Sequence, residues 1–205
     1  MGAVTNVLPP DANLFLDYPS HNSYFISIVT EGGILNNTYD GWCIDYGHVI
    51  YLFKPYDVIV YSSYGDLTNL GNVDYSEDLD KVNWIINQDF VGQQSSSLGA
   101  YTRMDVQRAI WLLVDEFPPS GNWPNVIEIY DLALEYGEGY VPQCDEVMAV
   151  ILEPTDQAQV TIIEIPVADL VEGCDNGYGE ETAWAAGLPF PGNSWAMYFN
   201  YTICE

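Results

Sequence analysis

Positive charge is what this chain has least of. Lys54, Lys81, Arg103 and Arg108 are its only basic side chains, set against 30 acidic ones, for a formal net charge of -26. Such a surface repels phosphate backbones and anionic headgroups, which argues against nucleic acid and membrane-surface partners. Histidine is nearly as scarce. With only His21 and His48, a Ser-His-Asp triad or a His-rich metal site would have to be built on one of two residues, and neither sits in a nucleophile context. No stretch approaches the roughly 20 apolar residues that cross a bilayer. The opening MGAVTNVLPPDAN lacks the basic-then-apolar layout of a signal peptide. No two cysteines have CxxC spacing, so a zinc site has no sequence support, and GYG and GEG lack the Lys-Ser/Thr that a phosphate loop requires. These absences lead to the expectation of a chain that is not an enzyme.

What is abundant is acid and aromatic surface. The chain has 205 residues, 48% of them hydrophobic, with 16 Tyr, 6 Trp and 7 Phe, enough for a real core and unlike a disordered acidic tail. Acidic side chains attract Ca2+, and DYSEDLDKVNWI opens like an EF-hand loop at Asp74, Ser76, Asp78 and Asp80. It has no central Gly and ends at Ile85 instead of Glu, so it reads as a helix start. No cofactor is expected, with Ca2+ the one cation the composition admits. Four cysteines and two sequons, beginning at Asn36 and Asn200, point to an oxidising, extracellular or cell-surface setting for an acidic glycoprotein.

Periodicity divides the chain. SYFISIV and DVIVYSS read as strands, with EGG, NNTYDG and GDLTNLGN as turns between strands. SEDLDKVNWIINQDF follows helical spacing through Leu79, Val82, Ile85, Ile86 and Phe90, with Ser76 as N-cap. The clearest helix starts at Thr102, with Asp105 three residues on and a stripe of Val106, Ala109, Ile110, Leu113, Val114 and Phe117. Its phase puts Gln107 at the rim of the core, on one face with Arg103 and Trp111. A third helix carries Val126, Ile129, Tyr130, Ala133 and Leu134 and ends at Gly137. EVMAVIL and QVTIIEI form a hairpin, and SWAMYFNYTI alternates as a last strand. The expected fold is therefore α+β: an antiparallel β-sandwich or barrel-like sheet with two to three inserted helices over residues 1–166, then a small C-terminal β unit over 167–205.

Two short contexts stand out within this frame: Trp42-Cys43-Ile44-Asp45 and Val106-Gln107-Arg108-Ala109-Ile110-Trp111. Together with DKVNWIIN they resemble the thioester domains of bacterial surface adhesins, over about residues 20 to 166. The resemblance is to an aromatic-Cys-Ile-Asp setting and a Gln-x-Ala-Ile-Trp helix start, with Val106 where the family carries Thr. It implies that Cys43 and Gln107 join as an internal thioester, which a target amine or hydroxyl can open. Trp42, Tyr46, Tyr51 and Trp111 would shield the bond and Asp45 would support it. His48 would accept a proton from the incoming amine, or else serve as a hydrogen-bonded turn residue.

Cysteine parity offers the competing reading. Four cysteines make two disulfides, for example Cys43 with Cys144 and Cys174 with Cys204, whereas a thioester leaves one thiol over. The thioester on one side, and a disulfide or a buried free thiol on the other, both stand for Cys43 at this stage. The expected function is surface adhesion or interaction with a host or neighbouring surface protein or glycan, covalent if the thioester forms. A non-covalent glycan-binding module using exposed Tyr and Trp is one alternative. A filament or coat subunit self-assembling through SWAMYFNYTI is the other.

Overall fold

A computed structural model describes residues 8–115, 121, 123–171 and 174. The expected terminal strand, Cys204 and the Asn200 sequon lie outside the described residues, as does nearly all of the 167–205 unit. Six strands form a closed antiparallel barrel: β1 (Asp11–Asp17), β2 (Phe25–Thr30), β3 (Asn37–Cys43), β4 (Pro55–Ser62), β5 (Val147–Pro154) and β6 (Thr161–Pro166). Their order around the barrel is β1-β2-β3-β6-β5-β4, so two three-stranded meanders meet at β3·β6 and at β1·β4. Closure leaves no free edge among these strands. Of the two sheet forms expected, the closed one is present.

Three helices, α1 (Leu79–Ile86), α2 (Arg103–Val114) and α3 (Pro124–Tyr136), are inserted between β4 and β5; a short α4 (Val167–Leu170) follows β6. Period-two burial divides the strands' side chains between two cores. Leu14, Leu16, Phe25, Val29, Val58, Met148, Val150, Leu152, Ile163 and Ile165 fill the barrel. Trp42, Ile44, Ala149, Ile151 and Ile162 leave the outer face and pack under the helices, against Val82, Ile85, Ala109, Ile110 and Ile129. β5 is buried on both faces, which is why its sequence is an unbroken apolar run.

Helix α2 starts as its sequence predicts. Asp105 N–H donates to Thr102 Oγ1 at 3.2 Å while the Asp105 carboxylate accepts from Thr102 N–H at 2.8 Å, a complete capping box. Gly137 ends α3, and no side chain could replace its hydrogen there, since a Cβ would stand 2.6 Å from the Ala133 carbonyl oxygen.

Several expectations are corrected. NNTYDG is not a turn: residues 37–43 form β3, because pairing with β2 over 37–41 and with β6 over 41–43 outweighs the poor strand propensity of Asn, Asp and Gly. Gly41 is required there, since a Cβ would lie 2.5 Å from the Phe25 ring and from Ser27 Oγ. Ser76 does not cap α1; it opens a 3-10 turn, Ser76–Asp78, whose N-cap is Tyr75. Leu134 is exposed, because the buried stripe of α3 runs through Val126, Ile129 and Ala133.

The disulfide pairing also differs from expectation. Cys144 is bonded to Cys174, with Cα atoms 5.2 Å apart, and Cys43 is a free, buried cysteine. Strand register explains the choice. β5 and β6 pair Val147 with Pro166, and Val167 N–H donates to the Glu146 carbonyl, so the chain entering β5 lies beside the chain leaving β6. Cys43, at the far end of β3, has a different neighbourhood.

Candidate functional site

Cys43 is the last residue of β3 and pairs with Thr161, the first of β6. On that side the ladder continues, with Ile44 N–H donating to the Val160 carbonyl. On the other side, β2 has already ended: its register stops at Phe25↔Gly41, with one further bond from Tyr24 N–H to the Gly41 carbonyl. The N–H and C=O of Cys43 on this side are left without a strand. Buried backbone groups require partners.

Gln107 supplies both. Cys43 N–H donates to Gln107 Oε1 at 2.9 Å, and Gln107 Nε2 donates to the Cys43 carbonyl at 2.7 Å. A side-chain carboxamide on α2 thus extends the sheet where β2 stops. The expected rim position is corrected: Gln107 is 0% exposed, as is Cys43, because the missing strand end makes room for the side chain inside.

The sulfur has its own partner. Cys43 Sγ donates to Gln159 Oε1 at 3.0 Å, and Gln159 Nε2 donates to the Asp45 carbonyl. Burial, with the Asp45 carboxylate second, pushes the Cys43 thiol well above its ordinary range. A neutral thiol is therefore the resting form. Asp45 is itself buried, and its carboxylate takes the His48 N–H at 3.1 Å and His48 Nδ1 at 2.9 Å.

The expected supporting residues divide. Trp111, one helical turn past Gln107, closes the barrel end, with Tyr46 packed edge-on at 5.4 Å and Tyr24 at 5.9 Å. Tyr46 is further held by its N–H on the Asp115 carboxylate. Tyr24 lies close enough to Cys43 for a thiolate charge to raise its phenol, after burial, the larger cause. Trp42 does not shield the sulfur: strand alternation sends it to the outer face, where Nε1 donates to Glu164 Oε1 at 2.6 Å. Tyr51 is 65% exposed and binds Tyr56 through its backbone, so it is no shield either. His48 takes the turn-residue role, anchored on Asp45. Asn36, of the first sequon, is exposed, and its Oδ1 accepts from Gly32 N–H at 2.8 Å.

On the outer face of the same strands, a pocket of about 310 Å³ lies between β3, β6 and the helices. Trp42, Phe90 and Val106 form its apolar walls; Asp40, Asp89 and Glu164 form its acidic ones. Glu164 is pushed up to about 7, first by burial and then by Asp40 and Asp89, against the opposing Trp42 hydrogen bond. No group of three or more His, Cys, Asp or Glu that could hold a metal ion occurs among the described residues. No helix among them is long and apolar enough to cross a membrane.

Gln159, Thr161, Tyr24 and Glu164 were not singled out from sequence. The signal for two of them is in the alternation of QVTIIEI, where Gln159 and Thr161 occupy the inward positions that Ile163 and Ile165 continue.

The chain has likenesses among solved structures, two of which are N-terminal thioester domains of bacterial surface proteins. One is that of the fibronectin-binding protein SfbI from Streptococcus pyogenes, 13% identical over 76% of this chain and 93% of that one, with a TM-score of 0.45. Another, from a surface protein of Clostridium perfringens, is 15% identical over 76% of this chain and 99% of that one, with a TM-score of 0.43. No family model matches the chain, and no curated protein matches it significantly.

Proposed function

We propose that this chain is an extracellular surface-adhesion domain that attaches covalently to its target through an internal thioester between Cys43 and Gln107. The observation that carries the reading is the pair of hydrogen bonds that fixes the Gln107 carboxamide on the backbone of Cys43 in a fully buried site. Position supplies much of what acyl transfer needs. The Cys43 N–H that binds Gln107 Oε1 also polarises the carbonyl that the sulfur would attack, and it would hold the oxyanion as charge develops.

The step balances within the protein. Sγ bonds to Gln107 Cδ, the Cδ–Nε2 bond breaks, and the thiol proton leaves on the nitrogen as ammonia. In the reverse sense, a target amine bonds to Cδ, the C–S bond breaks, and the amine proton returns to sulfur. Trp111, Tyr46 and Tyr24 keep water from the acyl bond, and the same residues would have to admit the nucleophile. This is one self-catalysed event per molecule and no turnover, so the chain is not an enzyme. Its partner is a host or neighbouring surface protein or glycan carrying an amine or hydroxyl.

The test uses methylamine. Native protein exposed to it gains one methylamine in a bond that survives denaturation, and Cys43→Ala and Gln107→Ala abolish the gain. Unmodified wild-type protein under the same exposure overturns the reading.

A second reading, a non-covalent glycan-binding surface, has one observation of its own. Tyr18 and Phe53 are 68% and 50% exposed and packed edge-on at 4.8 Å, giving a sugar face an aromatic platform. Glycan binding that survives Cys43→Ala but not Tyr18→Ala would favour it.

A further inference from the structure

Thr161 raises a question that the thioester reading does not answer. Its side chain is 0% exposed, and Oγ1 makes no hydrogen bond to any described residue. An orphaned buried hydroxyl costs stability, because the group forfeits water without replacement. Threonine gains nothing here over isosteric valine in packing or strand propensity.

The position of Thr161 relates it to the reacting sulfur. Cys43 and Thr161 are direct cross-strand partners, and the bond from Ile44 N–H to the Val160 carbonyl makes theirs a non-hydrogen-bonded pair. Side chains of such a pair stand on the same face with Cβ atoms about 4.5–5.5 Å apart. Ile163 and Ile165, which alternate with Thr161 along β6, fill the barrel, so Thr161 and Cys43 both face inward. The sulfur also leans towards this chain, since it donates to Gln159, two residues before Thr161.

We propose that Thr161 is a positioning residue for acyl transfer at Cys43: its hydroxyl, idle in the amide state, donates to the sulfur when the sulfur carries negative charge. The inference rests on the thioester reading. Charge appears on sulfur twice, as the thiol proton departs before attack on Gln107 Cδ, and as the C–S bond breaks when an amine opens the thioester. The Thr161 proton stays on Oγ1 throughout. Gln159 cannot serve in this way, because it presents its carbonyl oxygen to the sulfur and has committed Nε2 to Asp45. Without a donor, a thiolate here would face burial and the Asp45 charge together.

The experiment follows two rates by mass spectrometry, loss of ammonia after refolding and methylamine incorporation, alongside thermal melting. Thr161→Val should slow both rates about tenfold or more, the loss of one hydrogen bond to a charged group, and should melt at or above the wild-type temperature. Thr161→Ser should restore both rates to within about threefold, the spread expected for a retained donor. Unchanged rates in Thr161→Val overturn the inference, and so does a Thr161→Ser variant as slow as Thr161→Val, which would assign the effect to packing. Wild-type protein that never loses ammonia overturns the thioester reading itself, a separate result.

Discussion

Trp42 and Cys43 are consecutive residues with opposite surroundings. On the inner face of β3 and β6, Cys43, Thr161 and the Gln107 and Gln159 carboxamides form a dry, neutral cluster in which hydrogen bonds replace a missing strand end. On the outer face of the same strands, Trp42 and Glu164 border a pocket with Asp40 and Asp89, where like charges crowd. One pleated pair of strands thus separates two chemistries. On the inner face Gln107 is fully buried and held by the Cys43 backbone, whereas the outer face carries the raised carboxyl of Glu164.

The largest effect is expected from breaking the inner face. In the Cys43→Ala background, where no thioester forms and the carboxamide stays intact, Gln107→Ala strands the N–H and C=O of position 43 in a buried site, at about 1–3 kcal/mol for each group, so chemical denaturation should show a loss of several kcal/mol. A loss below about 1 kcal/mol would mean that the carboxamide does not complete the sheet.

Cutting the Cys144–Cys174 bond asks whether the inner face depends on the chain ends. A bridge across a sequence separation of 30 should be worth about 3–4 kcal/mol by loop entropy. The double Cys→Ser variant should lose that stability and still lose ammonia at Cys43. Failure to lose ammonia would make the disulfide part of the site.

The outer face should respond to pH. Glu164 is raised to about 7 in the fold from an ordinary 4.5, so the folded chain holds a proton that the unfolded chain releases. Stability therefore falls as pH rises from 4.5 to 7 and is constant in this respect above that. Glu164→Gln keeps an acceptor for Trp42, so it should remove this slope and raise stability at pH 8 by at most about 3 kcal/mol. An unchanged slope would place the titration elsewhere. The smallest effect is expected at His48, whose 41% exposed side chain reaches down to the buried Asp45 carboxylate. His48→Ala should cost about 1–2 kcal/mol, since the buried carboxylate loses the ring but keeps the backbone N–H, and leave methylamine incorporation unaltered.

The sequence made some of this plain and hid the rest for physical reasons. Helix α2, its capping box and the β5–β6 hairpin are local patterns, and local patterns were legible. β3 was not, because Asn37 and Asp40 follow their pairing with β2, and Gly41 the demands of two flanking strands and of the Phe25 ring, rather than their own propensities. The depth of Gln107 was hidden as well. Helical phase measures a residue against its own helix, while the space Gln107 fills exists because β2 ends early. Cysteine parity misled in the same way: it counts thiols, but register decides which meet. Motif context singled out Cys43 and Gln107, yet Gln159 and Thr161 required knowing which face of β6 turns inward.

The most direct test of the central claim is the intact mass of the purified wild-type chain, measured in denaturant without reductant. A thioester leaves a mass lower than the sequence mass by one ammonia, beyond the hydrogens lost to disulfide formation, with the deficit mapped to a Cys43–Gln107 cross-link and absent in Cys43→Ala. A mass short only of disulfide hydrogens, with the Cys43 thiol open to alkylation once unfolded, would contradict it.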